Sequence, residues 1–466
     1  MTRPGWIKRT IPILLALGIW FAPIPPGLTA PAWHLFAVFA SAIVAVLLGA
    51  YPLLTSTVLA AAAVVLTGTL TPAKAFAGFA NPSVLLVITA FLVATAVVKS
   101  GLGRRISLFI VSLFGRSSLG LAYSIVTTDA LIAPAFPSNT ARGGVLYPIV
   151  LSVSEGSGSR PDDEQGRRLG GYLMYCTMAS LAVSSALWMT ATSANPIGIQ
   201  LVRDAGVDIN FGKWLIASCV PCLIALFAMP WVVSKLFPPG VGETPDAPVQ
   251  ARKGLAELGS FSRDEIITAI AFVLMVTGWI LADSLKLNVT AIAMAGLGAL
   301  LLFQVLSVKD IAQQGDTLVT FIWLAILFAM SGQLNELGFM SFVGDILAKH
   351  LSGLSWPLLY VALVVLYVLF HYMFVSQSAQ VLALLAVFLG VGTTGGVPAP
   401  LMAFSLLFAS SYFSVITPQG GSQNIIFVGA GYLKQPELYK LGLLITIFFT
   451  AVFLTIGTGW ILLVSK

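Results

Sequence analysis

Four polar clusters interrupt long apolar segments of this chain, and three of them lie beside glycine or proline. The first cluster is Ser138, Asn139 and Thr140, which follow Pro137 and precede Arg142. Backbone N–H groups freed at such a break carry a partial positive charge that suits carboxylate oxygens, whereas free carbonyl, hydroxyl and amide oxygens suit Na⁺. We therefore treat the clusters as candidate ion sites, and Arg142 as a candidate for charge balance or ion coupling.

The other three clusters combine the same residue types. The expected counterpart of the first is Ser376, Gln377 and Ser378, followed by Gln380 as a further candidate for coupling. The remaining two clusters lie in later segments and contain Ala191, Thr192 and Asn195 in the first half, and Thr417, Gly421 and Ser422 in the second. Polar groups that recur with glycine or proline at matching places favour function, whereas a lone Thr67 is expected to bond locally or to a neighbouring helix.

The elements that carry these clusters are predicted to be membrane helices. Of the 466 residues 58% are apolar and only 9% are charged, a composition that a water-soluble domain does not sustain. A bilayer core about 30 Å thick takes about 20 apolar residues to cross as a helix, and ten or eleven such stretches are present. The prediction is an all-α polytopic membrane protein, which leaves no room for a soluble catalytic domain.

The basic residues predict the orientation of the chain. With the N-terminus in the cytoplasm, 17 of the 24 lysines and arginines fall on the cytoplasmic side, six fall outside and Arg142 lies within a hairpin. The C-terminus is then outside. The net charge of +6 needs no nucleic acid to explain it. The three cysteines, Cys176, Cys219 and Cys222, lie in apolar segments and are expected to be structural.

The chain divides into two halves that resemble each other. Residues 1–32 form an N-terminal segment with the first helix, and residues 238–264 form a polar cytoplasmic linker between repeats at 33–237 and 265–466. Residues 90–103 align without a gap to residues 325–338. The two aligned helices are predicted to run in opposite directions, so the repeats are inverted.

Each repeat is predicted to contain a re-entrant hairpin and a broken helix. The hairpins cover about residues 131–150 and 357–395, and the breaks lie within residues 172–202 and 400–433. Unpaired backbone at membrane depth survives only where it is buried in protein or lines an aqueous cavity. The four breaks are therefore expected to converge on one site near the midplane, as in a carrier built from inverted repeats.

Other classes of function fit the sequence less well. A channel needs a continuous polar path, and an ATP-driven pump needs a G-x-x-x-x-G-K-[ST] motif that the sequence lacks. A membrane enzyme would need a partner for Ser138 or Asp129, but the three histidines are scattered and none lies near either in sequence. Asp129 is expected instead to satisfy local partners. The sequence indicates no enzyme and no cofactor.

The sequence resembles the divalent anion:sodium symporters, in particular the branch of citrate and tartrate carriers and plastid 2-oxoglutarate/malate translocators. The segments that carry the resemblance are GFANPSVLLVITAFLVATAVVKSGLGRRI, LIAPAFPSNTARGGVLYPI and FVGAGYLKQPELYKLG, at residues 78–106, 131–149 and 427–442. It implies 11 spans in two inverted repeats, a homodimer in a bacterial-type inner membrane, and elevator-type transport of di- or tricarboxylates. It also implies substrate-binding roles for Ser138, Asn139, Thr140, Thr192, Ser376, Gln377, Ser378 and Thr417.

Departures from the family pattern bear on coupling. Gln377 stands where sodium symporters of the family have asparagine, and Gln380 and Pro418 stand where translocators often have histidine. Arg142 resembles a stand-in for the charge of Na⁺, as expected of an exchanger that swaps one carboxylate for another. Symport of a carboxylate or sulfate with Na⁺, held near Ser138, Asn139 and Ala191, is the alternative.

Overall fold

A computed structural model describes residues 3–164, 166–350, 353–374 and 376–465. Residues 1–2 of the predicted N-terminal segment and Lys466 of the predicted second repeat therefore lie outside the described residues. Within the described residues the secondary structure is helical and contains no strand. The fold is the predicted all-α one.

Twenty-three α-helices follow one another along the described residues. Those of the first half and the linker are α1 (Arg3–Phe21), α2 (Ala30–Leu47), α3 (Leu53–Leu66), α4 (Pro72–Ala75), α5 (Pro82–Ser100), α6 (Leu102–Phe114), α7 (Ser118–Ile132), α8 (Asn139–Gly156), α9 (Arg167–Leu187), α10 (Ala194–Asp204), α11 (Phe211–Leu236) and α12 (Asp246–Leu258). Those of the second half are α13 (Arg263–Leu281), α14 (Val289–Leu302), α15 (Val308–Ala312), α16 (Gly315–Glu336), α17 (Phe339–His350), α18 (Trp356–His371), α19 (Gln377–Thr394), α20 (Ala399–Tyr412), α21 (Asn424–Gly429), α22 (Gln435–Val452) and α23 (Thr458–Val464).

Eight helical stretches in the described residues are long and apolar enough to cross a membrane. Four shorter apolar helices, α3, α14, α18 and α20, accompany them. Their outward faces carry large apolar side chains such as Leu66 and Leu302, which are 86% and 76% exposed and suit contact with lipid tails. The count of 11 spans stays a prediction.

Local sequence explains where several helices begin. The Thr29 side chain accepts a hydrogen bond from the Ala32 amide at the start of α2, and Asn210 accepts one from Lys213 at the start of α11. Ser262 and Glu265 form a reciprocal capping box at the start of α13. Gly101 separates α5 from α6 in a left-handed conformation, φ +79°, that favours glycine.

All four predicted breaks are present. The hairpin α7–α8 turns through residues 133–138, and between α18 and α19 the described residues 372–374 and 376 are not helical. The broken helices are α9–α10, interrupted at residues 188–193, and α20–α21, interrupted at residues 413–423. Proline lies in the turn of the hairpin α7–α8, and proline and glycine lie in the interruption between α20 and α21, where they leave backbone groups without helical partners.

The chain forms two compact units that each draw on both halves of the sequence. One unit contains residues 1–88, 196–208 and 314–406, and thus the hairpin α18–α19. In this unit α16 packs against α2, α3 and α19, and a Cβ on Gly78 would lie 1.9 Å from the Ala325 carbonyl oxygen. Glycine is required there for the close approach.

The other unit contains residues 89–195, 209–313 and 407–466, and thus the hairpin α7–α8 and both interruptions of the broken helices. Here α9 packs against α7, α8 and α11 and is buried along nearly its whole length. The segment predicted to be a linker contains α12, which packs on α6. Arg105 fixes it there, because its guanidinium group donates to the carbonyls of Leu258, Gly259 and Ser260 and pairs with Glu265.

Ion pairs between distant segments join residues that the topology prediction places on the same side of the membrane. Lys99 pairs with Asp310 at 2.7 Å, Arg167 with Glu437 at 2.8 Å, and Lys74 with Glu336 at 2.7 Å. The bonds from Lys99 and Ser307 hold the pKa of Asp310 well below its usual range. The predicted alternation of sides is consistent with each of these contacts.

Candidate functional site

The first hairpin tip is built on the N-terminus of α8. The Ser138 side chain caps this helix by accepting a hydrogen bond from the Ala141 amide at 3.3 Å. The Asn139 side chain is buried, and its oxygen accepts hydrogen bonds from Arg142 at 3.0 Å and from the Ser185 hydroxyl at 2.6 Å. Asn139 is therefore held by a cationic group and by the first broken helix.

Behind this tip lies a fully buried ion pair. Arg142 Nε lies 3.0 Å from Asp129 Oδ1, and both side chains are 0% exposed. The other carboxylate oxygen of Asp129 accepts hydrogen bonds from Ser180 and Ser184. Sequence reasoning expected local partners for Asp129 but did not pair it with Arg142.

The guanidinium group of Arg142 has a spare donor. Its Nη2 donates to Asn139, to the Leu181 carbonyl and to the Ser185 hydroxyl. Among the described residues no group accepts a hydrogen bond from Nη1, although that atom is buried. A buried donor without a partner costs about 1–3 kcal/mol, so a carboxylate oxygen brought to Nη1 would be stabilised.

The first broken helix is bonded directly to the tip. The Thr190 hydroxyl donates to the Pro134 carbonyl at 2.9 Å, and the Ser193 amide donates to the Pro137 carbonyl at 3.0 Å. Ala191 and Thr192 lie between these contacts and are buried. The structure thus brings the predicted residues of the first tip and the first break together.

The second broken helix reaches the same tip. The hydroxyl groups of Thr140 and Ser422 lie 2.5 Å apart although the residues are 282 positions apart in the chain. Gln423, which was not among the predicted site residues, packs over the tip, since a Cβ on Gly143 would lie 3.4 Å from its Cβ. Its buried Nε2 has no acceptor among the described residues, so it is a second spare donor.

One asparagine bridges each interruption in the same way. Asn195 donates both amide hydrogens, to the carbonyls of Ser185 and Trp188, ten and seven residues earlier. Asn424 does the same to Ser414 and Thr417, again ten and seven residues earlier. The repeated Ser-x9-Asn spacing is a sequence signal that could have identified both bridges.

The second hairpin tip belongs to the other compact unit. Gln380 is fully buried, donates to the Tyr367 carbonyl at 2.8 Å and bonds His371 Nδ1 at 2.7 Å. Residues 376–380 (SQSAQ) match residues 138–142 (SNTAR) in order. Gln380 bonds Tyr367, 13 positions earlier, and Arg142 pairs with Asp129, also 13 positions earlier. Ser376, Gln377 and Ser378 form the start of α19, with Ser378 buried.

Within the first tip's unit, the remaining predicted residues lie at the second interruption. Thr417 begins a 3₁₀ turn and contributes its carbonyl to the Asn424 bridge. A Cβ on Gly421 would lie 2.6 Å from Gln423 Nε2, so glycine there gives the Gln423 side chain its space. Convergence of both tips on one site stays a prediction.

A cavity of about 620 Å³ adjoins the first tip. One wall is the face of α8 that begins with Ala141, the residue after Thr140. The opposite wall comes from the junction of α5 and α6, including Gly101 and Arg104. The volume is sufficient for a small organic anion with water.

Comparison with known proteins identifies the family. Residues 3–466 match the family described as the sodium:sulfate symporter transmembrane region. The chain is 38% identical over 456 residues to the putative malate transporter YflS of Bacillus subtilis (strain 168), covering 97% of this chain and 95% of that protein. It is 31% identical over 473 residues to the citrate/succinate antiporter of Escherichia coli (strain K12), covering 97% of each.

A solved structure shares the fold. Neisseria gonorrhoeae MtrF, described as illuminating a class of antimetabolite efflux pumps, matches 97% of both chains with a TM-score of 0.60 and 16% identity. At that identity the likeness concerns the fold alone. The family match and the similarity to YflS together show that this multi-pass membrane protein is a transporter, not an enzyme, and that it belongs to the family defined by the sodium:sulfate symporter transmembrane region.

Proposed function

We propose that the chain carries small di- or tricarboxylates across a bacterial inner membrane, and that it does so by exchanging one carboxylate for another. The relatives are named for malate, citrate and succinate, which are anions with two or three carboxylate groups. The substrate is predicted to contact Ser138, Asn139, Thr140 and Thr192 at the first tip and break, and Thr417, Gly421 and Ser422 at the second break. Ser376, Gln377 and Ser378 complete the proposed set.

The buried Arg142–Asp129 pair is the observation that carries the exchange proposal. Arg142 Nη2 lies 3.0 Å from Asn139 Oδ1, so a fixed cation already occupies the oxygen predicted for Na⁺. A guanidinium group does not leave with the substrate, whereas Na⁺ does. Because Asp129 pairs with only one side of the guanidinium group, the buried Nη1 keeps no acceptor among the described residues when the site is empty, and a second carboxylate bound for the return satisfies it.

The remaining parts of the proposal concern movement and assembly. Hairpin tips and broken helices around a site near the midplane suit alternating access in which one part of the molecule shifts past the other. An elevator-type displacement and a homodimer are proposed on the family resemblance. The N-terminus is proposed to be cytoplasmic and the C-terminus outside.

The test is transport by purified protein in liposomes. Uptake of labelled succinate, with malate, 2-oxoglutarate, citrate and sulfate as competitors, would be measured with internal dicarboxylate and no Na⁺, and with a Na⁺ gradient and no internal substrate. The expected result is uptake only with internal dicarboxylate.

The other outcomes are equally informative. Uptake driven by Na⁺ without internal substrate would replace exchange by symport and assign cation binding to Ser138, Asn139 and Ala191. If sulfate were the one competitor that inhibits uptake, sulfate would be assigned as the substrate in place of carboxylates. Absence of uptake under both conditions would overturn the proposal.

A further inference from the structure

The cavity beside the first tip has one wall of unusual chemistry for a membrane protein. On α8 its lining includes Ala141, Gly144, Pro148 and Ser152, all of which are exposed. They recur every three or four residues and thus share one helix face. From Ala141 to Ser152 this face extends about 16 Å, so the cavity reaches well away from the tip along α8.

This face differs from the lipid-facing surfaces of the same protein. Exposed positions of other helices carry residues such as Leu14, Leu66 and Leu302. The exposed positions of α8 in the cavity carry small residues and a hydroxyl, flanked by Val145, Ile149 and Val153, and a Cβ on Gly144 would meet no atom within 4 Å. Small and partly polar lining suits a passage for water and solutes better than contact with lipid tails.

Among the described residues that line the cavity, one side chain is charged, that of Arg104, on the wall opposite α8. Its neighbour Arg105 is buried and fully used by Glu265 and the end of α12. Arg104 is exposed, and none of the described residues forms an ion pair or hydrogen bond with its side chain. Its charge is therefore available to a solute in the cavity.

We propose that Arg104 and the exposed face of α8 form a docking position for carboxylate substrates, which they occupy before they reach the first tip. The position rests on the proposed function, because it serves the same substrates. A partly shielded cavity strengthens the attraction between a guanidinium group and an anion relative to open water. Arg104 thereby raises the local substrate concentration at one end of the passage.

The experiment measures exchange kinetics of the full-length protein in liposomes, with succinate varied separately on each side. R104Q is expected to raise KM about 3- to 10-fold on one side only, with kcat changed less than about twofold, because the lost attraction acts on entry and not on the tip. The effect is expected to diminish at high salt. R104K is expected to recover most of the affinity.

R116Q provides the matched control. Arg116 lies just beyond the other end of α6, is exposed and forms no ion pair with any of the described residues, but it does not line the cavity. R116Q should leave KM unchanged on both sides. Equal KM values for R104Q, R116Q and the wild type would overturn the docking position alone, whereas a wild type that moves no carboxylate would overturn the proposed function as well.

A charge-restoration experiment tests the same position without relying on one substitution. In a C219S background the remaining cysteines, Cys176 and Cys222, are buried. A cationic thiol reagent on R104C is expected to lower KM on the side from which the reagent reaches it, and an anionic reagent to raise it. Identical effects of the two reagents would show that bulk, not charge, matters and would contradict the proposal.

Discussion

At the scale of single residues, the buried charges of Arg142 and Asp129 compensate each other. Either charge alone in this fully buried place would lack compensation, and removing one partner of a buried pair costs about 3–5 kcal/mol. Neutralising both removes that penalty. Single and double variants can therefore distinguish the contribution of the pair to the stability of the fold from its contribution to transport.

We expect R142Q and D129N each to lower the thermal unfolding temperature in detergent, and the double variant D129N/R142Q to recover part of the loss. Exchange should remain absent in R142Q and in the double variant, because both lack the fixed cation at the tip. Unfolding followed by native tryptophan fluorescence and liposome exchange would be measured together. Recovery of exchange in the double variant would show that Arg142 is structural only.

Gln423 offers a contrasting residue, since its buried Nε2 has no acceptor among the described residues. Replacing it with methionine removes an unsatisfied donor, which costs about 1–3 kcal/mol when buried. We therefore expect Q423M to unfold at the same or a higher temperature while KM for succinate rises. Q423N, which keeps the amide, should retain more affinity. An unchanged KM in Q423M would remove Gln423 from the site.

At the scale of elements, Asn195 and Asn424 determine the shape of the two broken helices. Each donates hydrogen bonds to two carbonyls at the interruption. The two bridges have the same spacing, so their loss should have similar consequences. This equivalence supports the predicted relation between the two halves.

We expect N195A and N424A to lower the unfolding temperature by comparable amounts, because each removes two hydrogen bonds and leaves one carbonyl, that of Ser185 or of Ser414, without its donor. N195D and N424D should be no better, since a carboxylate cannot donate. T67A is the control, because Thr67 bonds the Ala63 carbonyl of its own helix at an exposed position. A large effect at one asparagine and none at the other would argue against equivalent roles.

The sequence predicted the four interruptions because proline, glycine and polar residues are costly within membrane helices and therefore mark them. It could not pair Arg142 with Asp129, since that contact depends on how α7 and α8 rotate about their axes on either side of the turn. Ser185 and Gln423 were not selected because several polar residues surround each of them, Ser180 and Ser184 on α9 and Gln419 and Ser422 in the second break, and the sequence does not show which of these face the tip. The helix α12 was not predicted, because the proline and glycine residues of its segment indicated a linker.

At the scale of the whole molecule, the topology prediction has a direct test. Asp162 and Asp283 are exposed residues of loops predicted to lie on opposite sides of the membrane. In a C219S background, D162C should react with a membrane-impermeant thiol reagent from the cytoplasmic side only, and D283C from the outside only. Acidic residues contribute little to orientation, so these substitutions should not alter it. Labelling of both from the same side would contradict the predicted alternation.

The matching asparagine bridges also have a consequence for the history of the chain. Between each serine and its asparagine, the nine intervening residues are ALWMTATSA in one half and VITPQGGSQ in the other, which share only a serine at the eighth place. The same two hydrogen bonds thus occur in both halves although the residues between their partners differ. Such a pattern is the trace expected when a gene segment is copied and the two copies then diverge, while each interrupted helix continues to need one amide to hold it.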